Sequence, residues 1–128
     1  MAIRVIRLGS ARAGDEGLRI GTVRRPPRGV PRAELASRDW YDVWYPNLAP
    51  CLATMKLAQQ AETPAQWAAF ARKYRAEMAG VDAAHSLDLL AALSHTANFS
   101  VGCYCEDESH CHRSLLRALL QDRDAKLR

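Results

Sequence analysis

The chain has 128 residues, 48% hydrophobic and 25% charged, with a formal net charge of +4; this is the composition of one ordinary globular domain and excludes collagen-like, fibrous and disordered readings. No apolar run approaches the roughly 20 residues that a bilayer requires, and the charged start at 1–8 is unlike a signal h-region, so a soluble cytoplasmic protein without a membrane partner is expected. Residues 1–38 carry nine arginines against Asp15, Glu16 and Glu34, whereas the remainder is slightly acidic, and 15 of the 18 basic residues are arginine, the planar fork that grips phosphate or carboxylate oxygens in pairs.

In chain order, alternation of Ile3 and Val5 with Arg4 and Arg7 predicts a strand at 3–8. A second strand at 18–23 follows the Gly14-Asp15-Glu16-Gly17 turn, and the two are expected to pair with each other. Residues 24–31 hold three prolines and a glycine, which remove donors and fix φ, so a loop is expected, surrounded by four arginines from Arg24 to Arg32. A short helix from Arg32 precedes Asp39-Trp-Tyr-Asp-Val-Trp-Tyr45, whose four rings read mostly as core or loop anchors.

Thr63-Pro64-Ala65-Gln66 is a helix start with a capping box and proline at the first helical position. The helix is expected over 64–79, with Trp67, Phe70, Ala71, Tyr74 and Met78 inward and Gly80 as a left-handed stop. A second helix is predicted at 82–96 on the line Leu87, Leu90 and Leu93. A strand at 99–105 follows, then a last helix at 111–122 with Leu115, Leu116, Leu119 and Leu120 inward. The pattern is α/β: a small single domain with a short, mostly parallel sheet flanked by four or so helices.

Chemistry concentrates where the last strand meets the last helix. Three of four cysteines fall there, too few overall for a secreted disulfide scaffold. Cys103 and Cys105, two apart on a strand, share a face, and Glu106-Asp-Glu-Ser-His110 leads into the helix, with Asp107 or Ser109 as its expected cap. Cys111, His112 and Arg113 would occupy the first turn, where free N–H groups and the positive dipole end favour a thiolate or a bound anion. Three readings compete. One is a thiol site with Cys105, Cys111 and His112 in catalysis. Another is a zinc site of Cys103, Cys105, Cys111 and His112 with His110 in reserve, although the spacing is not that of a standard finger. The third is a structural cluster with Cys103 as a small core residue.

Cys105-Glu106 with Cys111-His112-Arg113-Ser114-Leu115-Leu116 resembles the closing motif of the bacterial family called domain of unknown function 488, the YeaO-like proteins. Arg24 with Pro27-Arg28-Gly29, Trp44 with Leu48-Ala49-Pro50, and Phe70, Tyr74 and Glu77 resemble its other segments in order, so the similarity spans nearly the whole chain. Val23 stands where many members carry Asp, and Cys51 where Ser follows Leu-Ala-Pro. The resemblance implies an α/β domain whose 24–29 loop and Cys-His-Arg helix start lie near each other at one sheet edge. Both segments follow strands, and ligands of open α/β sheets collect beyond the carboxyl ends of strands. The expectation is therefore an anion pocket in which Arg24, Arg28 and Arg113 meet Cys105, Cys111 and His112, with a phosphate- or carboxylate-bearing small molecule as partner and no cofactor, zinc being the alternative. Two other functions compete with this pocket. One is a nucleic-acid module that stacks bases on Trp40, Tyr41, Trp44 and Tyr45. The other is a zinc- or redox-dependent interaction protein.

Overall fold

A computed structural model describes residues 1–128. Four strands, β1 (Ile3–Arg7), β2 (Leu18–Gly21), β3 (Val43–Trp44) and β4 (Phe99–Cys103), form one sheet in the order β1-β4-β2-β3, parallel throughout. The first two strands do not pair, contrary to the sequence reading. β4 enters between them, with Phe99 beside both Ile3 and Leu18 and Val101 beside both Val5 and Ile20. A buried parallel centre favours the fully apolar-compatible Phe99-Ser-Val-Gly-Cys103, every residue of which is buried, whereas a β1–β2 pair would have left that strand at an edge. The outer side of β1 is covered by the tail, where Ile3 N–H donates to the Lys126 carbonyl at 2.8 Å and Arg128 N–H to the Ile3 carbonyl at 2.8 Å.

Four helices, α1 (Leu52–Gln60), α2 (Pro64–Met78), α3 (Val81–Leu93) and α4 (His112–Gln121), fill out the chain. α2 begins as its sequence dictates: Gln66 N–H donates to Thr63 Oγ1 at 3.2 Å and Thr63 N–H to Gln66 Oε1 at 3.1 Å. Phe70, Tyr74 and Met78 enter the main core with Ile3, Val101, Leu87, Leu116 and Leu120, while Trp67 is only half-buried at its edge. Gly80 is not a left-handed stop. Its φ is −61°, and it serves as the N-cap of α3. α3 ends at Leu93, earlier than periodicity suggests, and Leu93 faces solvent because Ala83, Leu87, Leu90 and Ala91 form the buried face.

α1 and β3 lie outside the predicted elements. α1 lacks a local cap, and its first amide, Cys51 N–H, is satisfied at 2.8 Å by Glu77 Oε1 from α2. β3 is two residues long and joins β2 at the far edge. No helix is long and apolar enough to cross a membrane.

The other side of the sheet carries loops instead of helices, and a buried ion pair anchors them. Arg19 is 0% exposed. It donates to Glu16 Oε2 at 2.7 Å and Oε1 at 2.9 Å, and to the carbonyls of Ser10 at 2.9 Å and Asp39 at 2.6 Å. Ser100 Oγ donates to Glu16 Oε2 at 3.0 Å. Gly17, at φ 76°, lies where a Cβ would come within 2.0 Å of the Asn98 carbonyl oxygen, so only glycine fits this turn. Tyr41 lies flat against Gly21, where a Cβ would meet its ring at 2.4 Å.

Replacing Phe70, which is 0% exposed, by Ala is expected to cost about 3–5 kcal/mol in urea denaturation, as for other buried aromatics. Burial opposes ionisation of Glu16, but the hydrogen bonds and charge of Arg19 and the Ser100 hydroxyl outweigh it and hold the carboxyl below its ordinary 4.5. The folded state thus favours the carboxylate, so this stabilisation is complete above the ordinary value and is lost as pH falls through the lower folded one. Glu16→Gln is expected to cost about 3–5 kcal/mol at neutral pH by leaving the Arg19 charge uncompensated, and to shrink the stability lost on acidification. Thermal melts across that acid range check both.

Candidate functional site

Cys103 closes β4, and the chain then bends through Tyr104 and Cys105 into a short 3-10 turn, Glu108–His110, before α4 starts. The expected cap is displaced by one element. Asp107 accepts the Ser109 amide at 3.0 Å and caps the 3-10 turn, whereas the N-cap of α4 is Cys111, whose side chain makes no capping bond. Tight turning at this point folds Cys111 back beneath β4. Cys111 is 1% exposed and Cys103 7%, while Cys105 is exposed.

Cys103, Cys105, Cys111 and His112 form a Cys3His cluster. The Cys103 and Cys105 sulfurs are 3.7 Å apart, Cys111 Sγ is 3.8 Å from His112 Nδ1, and the donor atoms of Cys103, Cys111 and His112 all lie within 4.8 Å of one another. His112 is oriented from behind, its Nε2 bonding the Thr22 carbonyl at 2.8 Å. That bond requires a proton on Nε2 and directs Nδ1 at Cys111 Sγ, where it can accept the thiol proton or, carrying it, donate to the thiolate. The ring also packs against Tyr74, with centroids 5.5 Å apart.

Contacts among the three sulfurs shift their acidities in opposite directions. Hydrogen bonds from Cys103 and Cys105, aided by His112 and opposed by burial, hold the Cys111 thiol far below the ordinary thiol range. Cys103 is pushed far up by its contacts with Cys105 and Cys111 and by burial. Cys105 is favoured by Cys103, but the contact with Cys111 and burial outweigh this and raise it. The neighbouring sulfurs, rather than Arg113, are the main cause of the downward shift at Cys111.

The cluster forms the floor of a cleft of about 910 Å³, within the range of small-molecule sites. Arg24, Arg25 and Arg28 reach it from the proline-rich loop, Arg7 from the end of β1, and His110 from the 3-10 turn. Arg25 and Arg28 are exposed and take part in none of the nine ion pairs. Arg24 is engaged elsewhere: Nε donates to the Pro50 carbonyl at 3.0 Å, and Nη2 to those of Pro46 at 3.1 Å and Ala49 at 3.0 Å. It fastens the 46–50 turn to the loop. Arg113 is absent from the cleft wall. It is 3% exposed, donates Nη2 to the Cys105 carbonyl at 2.5 Å and has a buried Nε without a partner. Its role is to hold the Cys105 turn from below.

Sequence reasoning missed Arg7 and Arg25 and kept His110 only as a spare ligand. The available signal was position, since Arg7 ends a strand and Arg25 neighbours Arg24 and Arg28 on one loop. His110 Nδ1 lies 2.9 Å from Asp107 Oδ2, and bonds from His110 first and Ser109 next hold the Asp107 carboxyl down at about 2. The four clustered aromatics do not make an open stacking surface. Tyr41 is buried, Trp40 and Tyr45 are half-buried, Tyr45 Oη meets Ser86 Oγ at 2.5 Å, and only Trp44 is exposed.

A family model described as the active DUF488-N3 subclade matches residues 3–124. The chain belongs to the DUF488 family. No curated protein and no solved structure matches it. Val23, where many DUF488 members carry Asp by the sequence resemblance, is 3% exposed and lends its carbonyl to Trp44 Nε1 at 2.8 Å. Cys51 occupies the α1 N-cap beside Thr54 and Glu77, far along the chain from the cluster.

The donor set of the cluster also suits a metal ion. A tetrahedral zinc with Zn–S of about 2.3 Å places its sulfur ligands about 3.8 Å apart, close to the 3.7 Å seen between Cys103 and Cys105. The Thr22 carbonyl behind His112 is the kind of partner that fixes a ligating imidazole.

Arg24→Lys is expected to cost about 1.5–3 kcal/mol of stability, because an ammonium cannot span the three carbonyls. Chemical denaturation measures it. An unchanged midpoint combined with weaker phosphate binding would instead make Arg24 a ligand contact.

Proposed function

We propose that this DUF488 protein binds a small phosphate- or carboxylate-bearing substrate in the cleft and acts on it through the cysteine cluster. One observation carries the reading: three thiols and an oriented imidazole floor a cleft at whose mouth Arg25 and Arg28 stand without carboxylate partners. Arginine at a cleft mouth concentrates anions and orients their paired oxygens. Cys105 and Cys111 supply sulfur nucleophiles, and His112, with its Nε2 proton committed to Thr22, offers Nδ1 as the acceptor beside Cys111. The description of the matched subclade as active accords with this.

A metal-holding role for Cys103, Cys105, Cys111 and His112 is the second reading, favoured by the spacing of the donor atoms. The two separate on one preparation. Under the thiol reading, protein purified without chelator carries no stoichiometric metal, and millimolar inorganic phosphate slows alkylation of Cys105 by iodoacetamide while leaving Cys51 unaffected. Arg25→Ala with Arg28→Ala abolishes that protection, and Arg72→Ala on α2 retains it. One zinc per chain, with the cluster cysteines silent until chelation, establishes the metal reading. Equal alkylation of Cys105 and Cys51 with and without phosphate removes the anion site.

A further inference from the structure

Nucleophilic catalysis on an anion needs one thiolate, yet this cluster holds three free sulfurs. Their exposure is graded. Cys105 is open to solvent, and Cys103 lies directly behind it, 7% exposed, with the sulfurs 3.7 Å apart. Residues two apart have Cα atoms about 6.6 Å apart even on a fully extended chain, and the bend at Tyr104 can only shorten that span, so the pair lies inside the range that a disulfide closes. Closing the bond to about 2.05 Å requires the sulfurs to approach by about 1.7 Å, a movement within the reach of side-chain rotation at Cys105, which lies beyond the strand that Cys103 ends.

We propose, resting on the thiol reading above, that Cys105 and Cys103 form a two-electron redox relay whose substrate is a small disulfide bearing carboxylate or phosphate groups. Arg25 and Arg28 hold the acidic groups at the mouth. Cys105 Sγ attacks one substrate sulfur, the substrate S–S bond breaks, and half the substrate departs as a thiol carrying the Cys105 proton. The other half remains on Cys105 as a mixed disulfide. Cys103 Sγ then attacks Cys105 Sγ, and the second half departs as a thiol carrying the Cys103 proton. The substrate disulfide is thereby reduced to two thiols, and Cys103 and Cys105 are oxidised to one disulfide. An external small thiol resets the site by reducing that bond. Cys51, beside Glu77 and Thr54 and without a second cysteine in its hydrogen-bonding neighbourhood, takes no part.

The probe is dithio-bis-nitrobenzoate, a disulfide with two carboxylates, added in equimolar amount to the full chain carrying Cys51→Ser. The relay releases two thionitrobenzoates for each reagent consumed, and mass spectrometry finds the peptide spanning 99–113 lighter by two hydrogens with no adduct. Cys103→Ser traps the mixed disulfide on Cys105 and releases one thionitrobenzoate. Arg25→Ala with Arg28→Ala slows the release about tenfold, by loss of electrostatic steering, but leaves the rate with the uncharged dithio-bis-pyridine unchanged. A stable adduct on Cys105 or Cys111 in the protein with Cys103 intact overturns the relay while leaving the thiol reading in place. If, in the unsubstituted chain, only Cys51 reacts, or the cluster reacts only after chelation, both fall.

Discussion

A guanidinium sealed in the protein, with each of its three nitrogens hydrogen-bonded, holds the half of the molecule that no helix covers. Arg19 projects from β2 on the face opposite the helices, and its bonds to Glu16, Ser10 and Asp39 tie both ends of the β1–β2 loop and the end of the β2–β3 connection to one strand. Ser100 on β4 completes the carboxylate shell. A charge in such a place is tolerated only when paired and well hydrogen-bonded. The pair is therefore a geometric constraint: the loops cannot slide without exposing an unmet charge to a dry interior. Asp39 shows the constraint locally, since its φ of 61° is held while its carbonyl accepts both Arg19 and the Gly9 amide.

That pinned layer positions the cleft. Gly9 follows β1, and the Trp40 ring lies against it, edge-on to Tyr104 at 5.7 Å. Tyr104 in turn donates to the Arg25 carbonyl at 3.0 Å. The chain of contacts runs from the buried ion pair to the arginine loop and to the residue between Cys103 and Cys105. On the helix side, Tyr74 donates to the Leu48 carbonyl at 2.7 Å and packs on His112, while Arg24 gathers the carbonyls of the 46–50 turn. The cluster sits where these two supports meet, beyond the carboxyl ends of the parallel strands, as open α/β sheets dictate.

Arginine illustrates how little a residue type says about its task. Arg19 is a loop anchor, Arg24 a turn clamp, Arg113 a support beneath Cys105, and Arg25 and Arg28 stand free at the cleft mouth. All five belong to the charge excess or motif that reads as anion recognition from the sequence. Their division of labour follows from burial and from which carbonyls lie within reach, and neither property is written in neighbouring letters.

Local chemistry determined much of this protein. The Thr63-Pro-Ala-Gln66 start produced α2, because cap and amide lie within one helical turn, and the apolar spacing of Phe70, Tyr74, Leu115, Leu116 and Leu120 marked the core because helical periodicity is a local property. The cysteine cluster was legible too, since Cys103, Cys105, Cys111 and His112 are close in the chain. Tertiary structure alone decided the rest. β4 entered between β1 and β2 because strand order depends on which faces are buried, not on sequence proximity. α1 stayed hidden because its first amide is met by Glu77, 26 positions away. Arg113 left the pocket for the same kind of reason: its motif named the residue, but a carbonyl at Cys105, supplied by the bend of the folded chain, took its guanidinium.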